Sequence, residues 1–436
     1  MIKHITILLV LGLVQFGCEQ ADDSASIRTQ AAVRVVKING QYQLLKNGKH
    51  VFVKGALGHS HLDYLKEIGG NTINVYHQYL TKEIFDQADS LGLYVAVTLN
   101  LARPFQGADY SDTLFLNAQR HMVDSIVSAY KDEPSLLFWI IGNEMHLKLF
   151  RADDLWREVN SISKRIHQLD PDHPTTTNIA AFERKQLIQV KYLCNDIDFI
   201  SFNAHHMNYV LKRETRNLLW GWDGPYLITE WTGPVYWHEM QSTSWGAPVE
   251  PSSTMKADVM AHNYYIAIKR DSANCLGGFV FYWGQKQERT HTMFSLFLDD
   301  HYKTQAFEVL RYFWQGSKPK NYAPRINKFE IEDEKNPNAV HLRQRSLYNL
   351  TLIAKDPDGD SLRTKIEVYR EGEYTNIVGG DNEIRPQLVS TQTLKGEPDR
   401  IPYTSPDSEG TYRIFVYVYD KENVATANIP FYVLPL

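Results

Sequence analysis

The sequence predicts a (β/α)8 TIM barrel over residues 33–317, then a small all-β immunoglobulin-like sandwich over residues 324–436, with a linker at 318–323 between them. Three observations carry this expectation. Short apolar runs alternate with amphipathic helical stretches through most of the chain. The runs that qualify as strands number eight over about 285 residues, the size and count of such a barrel. Near Ser317 the pattern changes to short alternating segments separated by turn clusters.

The chain opens on Met1-Ile2-Lys3-His4, a short basic start, followed by an apolar run, Ile5–Val14, too short to span a bilayer. The run ends in Gly17-Cys18. A small residue before Cys resembles a bacterial lipoprotein processing site, which makes residues 1–18 a signal peptide and Cys18 the lipidated residue, with ordinary secretory cleavage as the alternative. Residues 19–32 are polar and read as a flexible tether. Two cysteines then remain, Cys194 and Cys275, and both are expected as buried thiols.

The barrel begins with a hairpin turning at Asn47-Gly48. Its strands are expected at Val51–Ala56, Thr72–Tyr76, Tyr94–Thr98, Leu136–Ile141, Thr175–Asn178, Phe199–Phe202, Tyr226–Thr229 and Phe279–Tyr282. Helices are expected at His61–Ile68, Lys82–Ser90, Leu114–Tyr130, Asp153–Leu169, Ser253–Lys269 and Thr304–Trp314. Continuously apolar strands between helices are the mark of a parallel sheet covered on both faces. A doubly wound sheet is the alternative, but Gly55-Ala56-Leu57-Gly58 lacks the phosphate-loop fingerprint. In the sandwich, Asp356-Pro357-Asp358-Gly359-Asp360 reads as a turn, because its aspartates lack the spacing of a calcium loop.

The net charge of −5 gives no basic excess for neutralising phosphates, which excludes a nucleic-acid binder. In a (β/α)8 barrel the functional side chains stand at the C-terminal ends of the strands. The fourth run ends in Gly142-Asn143-Glu144 and the seventh in Glu230-Trp231. The second ends in Tyr76-His77, the sixth runs on to His205, and the eighth ends in Trp283. A lone Glu after an apolar strand is more often an ordinary surface or ion-paired residue. Two of them at the ends of an independently counted strand series, among aromatic residues, are the set that glycoside hydrolysis needs. Trp faces suit the C–H face of a sugar. The long loop Trp231–Pro251, which carries Trp237 and Trp245, is expected to form one wall of the cleft. Residues 285–289 are expected to add polar contacts to sugar hydroxyls. His59 and His61, or His205 and His206, have no third ligand at a supporting spacing, so neither a metal nor a cofactor is expected.

The segment Lys131–Glu144 resembles the acid/base segment of clan A glycoside hydrolases, particularly the family 2-type TIM-barrel domain, and Ile228-Thr229-Glu230-Trp231 resembles their second catalytic site. The resemblance implies Glu144 as general acid/base and Glu230 as nucleophile of a retaining mechanism. It also implies Asn143 as a contact to the sugar 2-hydroxyl, Trp283 as the platform under the sugar, and His205 or Tyr209 as a support for the nucleophile. One departure stands out: where such barrels carry Asn-x-x-Arg after strand two, this chain has Asn71-Thr72-Ile73-Asn74. The expected function is a retaining β-glycoside hydrolase cleaving a polysaccharide or oligosaccharide. A β-1,3-glucan is the candidate substrate, from a resemblance to bacterial laminarin-degrading lipoproteins. A β-glucan transglycosylase and a non-catalytic glycan-binding lipoprotein are the alternatives. The expected partners are the carbohydrate and, through the lipid anchor alone, a membrane of the bacterial cell envelope; no nucleic-acid or protein partner is expected.

Overall fold

The computed structural model describes residues 32–146, 152–180, 183–205, 208–217, 221–299, 301–334, 336–372, 383–396 and 398–436, with the backbone alone for 208–210. The expected signal peptide, Cys18 and nearly all of the tether lie outside the described residues, as does the side chain of Tyr209.

Three antiparallel strands open the chain: β1 (Val33–Ile38), β2 (Gln41–Lys46) and β3 (Lys49–Val51). Lys46 pairs with Lys49 across Asn47-Gly48, whose φ values of 50° and 77° are both left-handed, as a two-residue hairpin loop requires. Val33, Leu44 and Val51 of this sheet pack against Leu137, Phe138, Phe199, Leu227 and Leu276. The hairpin sheet therefore closes the N-terminal end of the barrel and leaves the other end for function.

The barrel closes from eight parallel strands: β4 (Val53–Leu57), β5 (Thr72–Tyr76), β6 (Tyr94–Leu99), β7 (Leu136–Asn143), β8 (Thr175–Ala180), β9 (Ile200–Asn203), β10 (Tyr226–Trp231) and β11 (Cys275–Val280). Around it lie α1 (Leu62–Glu67), α2 (Lys82–Leu91), α3 (Thr113–Tyr130), α4 (Asp153–Leu169), α5 (Arg184–Leu193), α6 (Asn208–Thr215), α7 (Ser253–Ala267) and α8 (Ala306–Gln315). The largest core fills the space between strands and helices. Every residue of β7 is buried, which explains its unbroken apolar run.

Four elements depart from expectation. The first barrel strand starts at Val53, because Val51 belongs to the hairpin. The eighth strand is Cys275–Val280, so the run Phe279–Tyr282 straddles its end. Gly277 and Gly278 disguise this strand, since glycine is depleted in strands. Gly277 is needed there: a Cβ would lie 2.1 Å from the carbonyl oxygen of Val53, on the strand that closes the barrel. The helices α5 and α6 had no strong sequence signal.

Beyond the linker, a three-stranded sheet (Arg325–Ile331, Leu347–Lys355, Arg400–Thr404) faces a five-stranded one (His341–Arg343, Val424–Leu434, Gly410–Tyr419, Arg363–Arg370, Leu388–Lys395). Leu350 and Leu352 of the first and Ile366, Val416 and Val418 of the second share one core. Asp356 forms the expected turn: its Oδ1 accepts the backbone N–H groups of Asp358 and Asp360 at 2.8 and 3.0 Å. Cys194 and Cys275 are free and buried.

Candidate active site

An open cleft of about 790 Å3 lies at the C-terminal end of the barrel strands. Both predicted carboxylates line it, as do Asn143, Tyr76, His205 and Trp237. Strand β7 delivers the first carboxylate through a tight turn. Gly142 (φ 70°) and Glu144 (φ 51°) both sit in the left-handed region and bend the chain over the strand end.

A net of amides then fixes the side chains. The hydroxyl of Thr229 donates to Asn203 Oδ1 at 2.9 Å. Asn203 Nδ2 donates to Glu144 Oε1 at 2.9 Å and to Asn143 Oδ1 at 3.0 Å. Asn178 Nδ2 donates to the same Asn143 oxygen at 3.0 Å. With Oδ1 so engaged, the Asn143 amide is oriented with Nδ2 as its remaining donor for the cleft.

Burial, and then the charge of Glu230, push the Glu144 carboxyl up to about 7. Its first cause is desolvation, so the group is a carboxylic acid with a proton to give near neutral pH. Glu230 is buried on β10, and its Oε2 is 3.1 Å from His205 Nε2. Burial lowers the His205 pKa to about 4. The ring is thus neutral, and a neutral imidazole facing a carboxylate presents N–H there. Asn74 stands where the resemblance leads one to expect an Arg; it is buried on the cleft and accepts the Thr98 hydroxyl at 2.7 Å. A hydrogen-bond neighbour of Glu230 here is His205.

Four expected contacts are corrected. Trp283 is fully buried; its indole N–H donates to the Ser60 carbonyl at 2.7 Å, and it packs on Phe297 and Phe307. Because the eighth strand ends earlier than its apolar run, Phe281 and Tyr282, and not Trp283, are the aromatic residues that this segment brings to the cleft. Trp231 turns away from its neighbour Glu230 into the helix layer, with its ring 5.2 Å from that of Tyr264 on α7. Trp245 reaches the sandwich and packs against His341 and Tyr432. His77 is outside the cleft lining, and its Nδ1 accepts the backbone N–H of Asn100, which does line it.

Residues 285–288 line the cleft as expected, and Lys286 pairs with Glu288. Sequence reasoning gave no role to Asn178, Asn203, Arg103, Glu183 or Glu383. The first two close the fifth and sixth apolar runs, so the strand-end rule reaches them, but nothing local marks them as functional. Arg103 follows β6 in a loop, and Glu383 comes from the sandwich; neither carries a local signal.

The fold and site together define a (β/α)8 barrel with paired carboxylates at the ends of its fourth and seventh strands. The chain belongs to the glycosyl hydrolases family 2, TIM barrel domain, which matches residues 41–266. It is 25% identical over 178 residues to a Formosa agariphila protein named "Putative beta-glucuronidase", covering 36% of this chain and 21% of that one. It is 32% identical over 68 residues to Mannan endo-1,4-beta-mannosidase F of Aspergillus clavatus, covering 16% of each chain. Among solved structures it is similar in fold to beta-glucuronidase 2 of Bacteroides uniformis, with a TM-score of 0.51, 12% identity, and coverage of 93% of this chain and 48% of that one. The chain thus spans about half the length of that structure and 21% or less of the two sequence relatives.

Proposed function

We propose that the protein is a retaining β-glycosidase acting on an uncharged polysaccharide or oligosaccharide, with β-1,3-glucan the first substrate to test. The observation that carries this reading is the unequal carboxylate pair: Glu144 kept protonated near neutral pH, facing Glu230 bonded to His205. In the first step Glu230 attacks the anomeric carbon while Glu144 gives its proton to the departing glycosidic oxygen. In the second, Glu144, now a carboxylate, takes a proton from water as that water displaces Glu230 from the sugar. Asn143 Nδ2 supplies a hydrogen bond to a ring hydroxyl beside the reacting carbon.

The charge of the cleft supports an uncharged sugar. With Glu144 protonated, its lining still carries the carboxyl groups of Glu183, Glu230, Glu288 and Glu383 against the cations Arg103 and Lys286. Lys286 is already paired with Glu288. An excess of like charge repels a uronate chain. Trp237 and Tyr79, 43% and 55% exposed on the lining, offer flat faces for sugar rings.

The test is chemical rescue on a panel of β-glucans, mannans, galactans and their aryl glycosides. Glu144→Ala and Glu230→Ala should each lose nearly all turnover while remaining folded. Azide should restore product in both, as the β-glycosyl azide with Glu144→Ala and the α-azide with Glu230→Ala. Full activity in either variant, or rescue with the anomers exchanged, would sink the assignment.

A further inference from the structure

The sandwich domain contributes a side chain to the catalytic cleft. Glu383 precedes the edge strand Leu388–Lys395 and lines the cleft beside residues of the barrel. Its Oε2 accepts the backbone N–H of Arg289. Its Oε1 is shielded from solvent and has no hydrogen-bond partner among the described residues. That oxygen can find a partner if the carboxylate turns toward the cleft that the residue lines, where a sugar hydroxyl is a donor of the right kind.

The position of Glu383 is set by an unbroken series of contacts that starts at Glu230. His205, bonded to Glu230, has its ring 5.4 Å from that of Trp237. Trp237 meets Tyr236 at 4.8 Å, and the Arg289 guanidinium lies 4.6 Å over the Tyr236 ring. Arg289 then holds Glu383. These contacts run from Glu230 along the loop after its strand to Glu383, which lines the same cleft. The cleft, at about 790 Å3, falls in the range that holds a drug-sized ligand rather than one small ring.

We propose that Glu383 forms a sugar subsite away from the cleavage point, where its carboxylate accepts hydroxyl hydrogen bonds from a neighbouring unit of an uncharged chain. The sandwich is then part of substrate recognition rather than a spacer. This rests on the glycosidase reading above.

The experiment uses the full chain and whichever sugar of the panel the wild type cleaves. The quantity read is the ratio of kcat/KM on the tetrasaccharide to kcat/KM on the aryl monoglycoside of the same sugar. Glu383→Ala should lower that ratio about tenfold, mainly through KM on the longer substrate, as loss of a hydrogen bond to a charged group predicts. Glu383→Gln, which keeps an acceptor oxygen, should lower it less. An unchanged ratio in both variants would overturn the subsite. So would equal losses on both substrates, which would mean that Glu383 acts only by holding Arg289. A wild type inert on the whole panel would overturn the glycosidase reading itself, and the subsite with it.

Discussion

Glu144 shows how one environment decides the chemistry of a residue. Its carboxyl is raised from 4.5 to about 7, first by burial and then by the charge of Glu230. In its proposed role as general acid it must be protonated, so kcat/KM should fall as pH rises through about 7. The same shift has a consequence for stability. A carboxyl whose pKa is higher folded than unfolded binds more protons in the folded state, so its favourable contribution is complete below about 4.5 and is lost as pH rises towards 7. Glu144→Gln cannot lose that proton. It should therefore melt at a higher temperature than wild type at pH 8, and the gap should close by pH 4. Thermal scans at the two pH values check this; a variant less stable than wild type at pH 8 would contradict the assigned shift. None of this could be seen in the sequence, which places a carboxylate at a strand end but is silent on its solvation.

At the scale of elements, strand ends were the legible part. The continuous apolar runs showed that β7 and β10 are buried on both faces, and their order in the series put Asn143, Glu144 and Glu230 on one rim. Of the aromatic residues, Tyr76 and Trp237 reach the cleft while Trp231, Trp245 and Trp283 do not, because proximity in sequence does not fix which way a ring turns. Trp231 follows Glu230 directly and faces the helices. Trp283 was assigned from an apolar run that overshot its strand, since Gly277 and Gly278 hid where that strand begins. The bend after β7 gives a direct test of how the proposed acid/base carboxylate is aimed. A Cβ on Gly142 would stand 1.9 Å from Met145 Sδ, and its φ of 70° is strained for any other residue. Gly142→Ala should cost about 2 kcal/mol or more of stability. It should also lower kcat by roughly a hundredfold, because a shift near 1 Å spoils a reactive geometry. Gly316 has a similar φ of 72° and open space around it. Gly316→Ala should incur only the backbone strain and keep kcat. Urea denaturation and kcat in the two variants separate aim from strain, and equal kcat in both would refute the role given to the bend.

Across the whole molecule, barrel and sandwich are joined by a buried polar knot that no local pattern announced. Glu250, from the loop after β10, accepts hydrogen bonds from Lys256 Nζ at 2.6 Å, Thr290 at 2.6 Å, Thr292 at 2.9 Å, and Asn428 of the sandwich at 2.8 Å. Arg413 of the sandwich donates to Asn428 at 2.6 Å and to the Pro248 carbonyl at 2.9 Å. Burial alone would raise the Glu250 carboxyl; the Lys256 charge and these hydrogen bonds outweigh it and hold the group at about 2. A depressed carboxyl adds stability that is present above its unfolded pKa and is lost as pH falls towards the folded one. The knot should therefore weaken between about pH 4.5 and 2. It also carries the Thr290–Thr292 segment, which follows Glu288 of the cleft wall, so the join between domains and the shape of the cleft depend on the same residues. Lys256→Met would leave Glu250 buried without its cation, at a cost of about 3–5 kcal/mol. Adding Glu250→Gln removes the stranded charge, so the double variant should regain part of that loss. Calorimetry should show wild type melting in one transition, because a shared buried network couples the two domains. Lys256→Met should melt lower and the double variant in between. A double variant no more stable than Lys256→Met would mean that the knot's contribution lies in packing and not in the pairing of its charges.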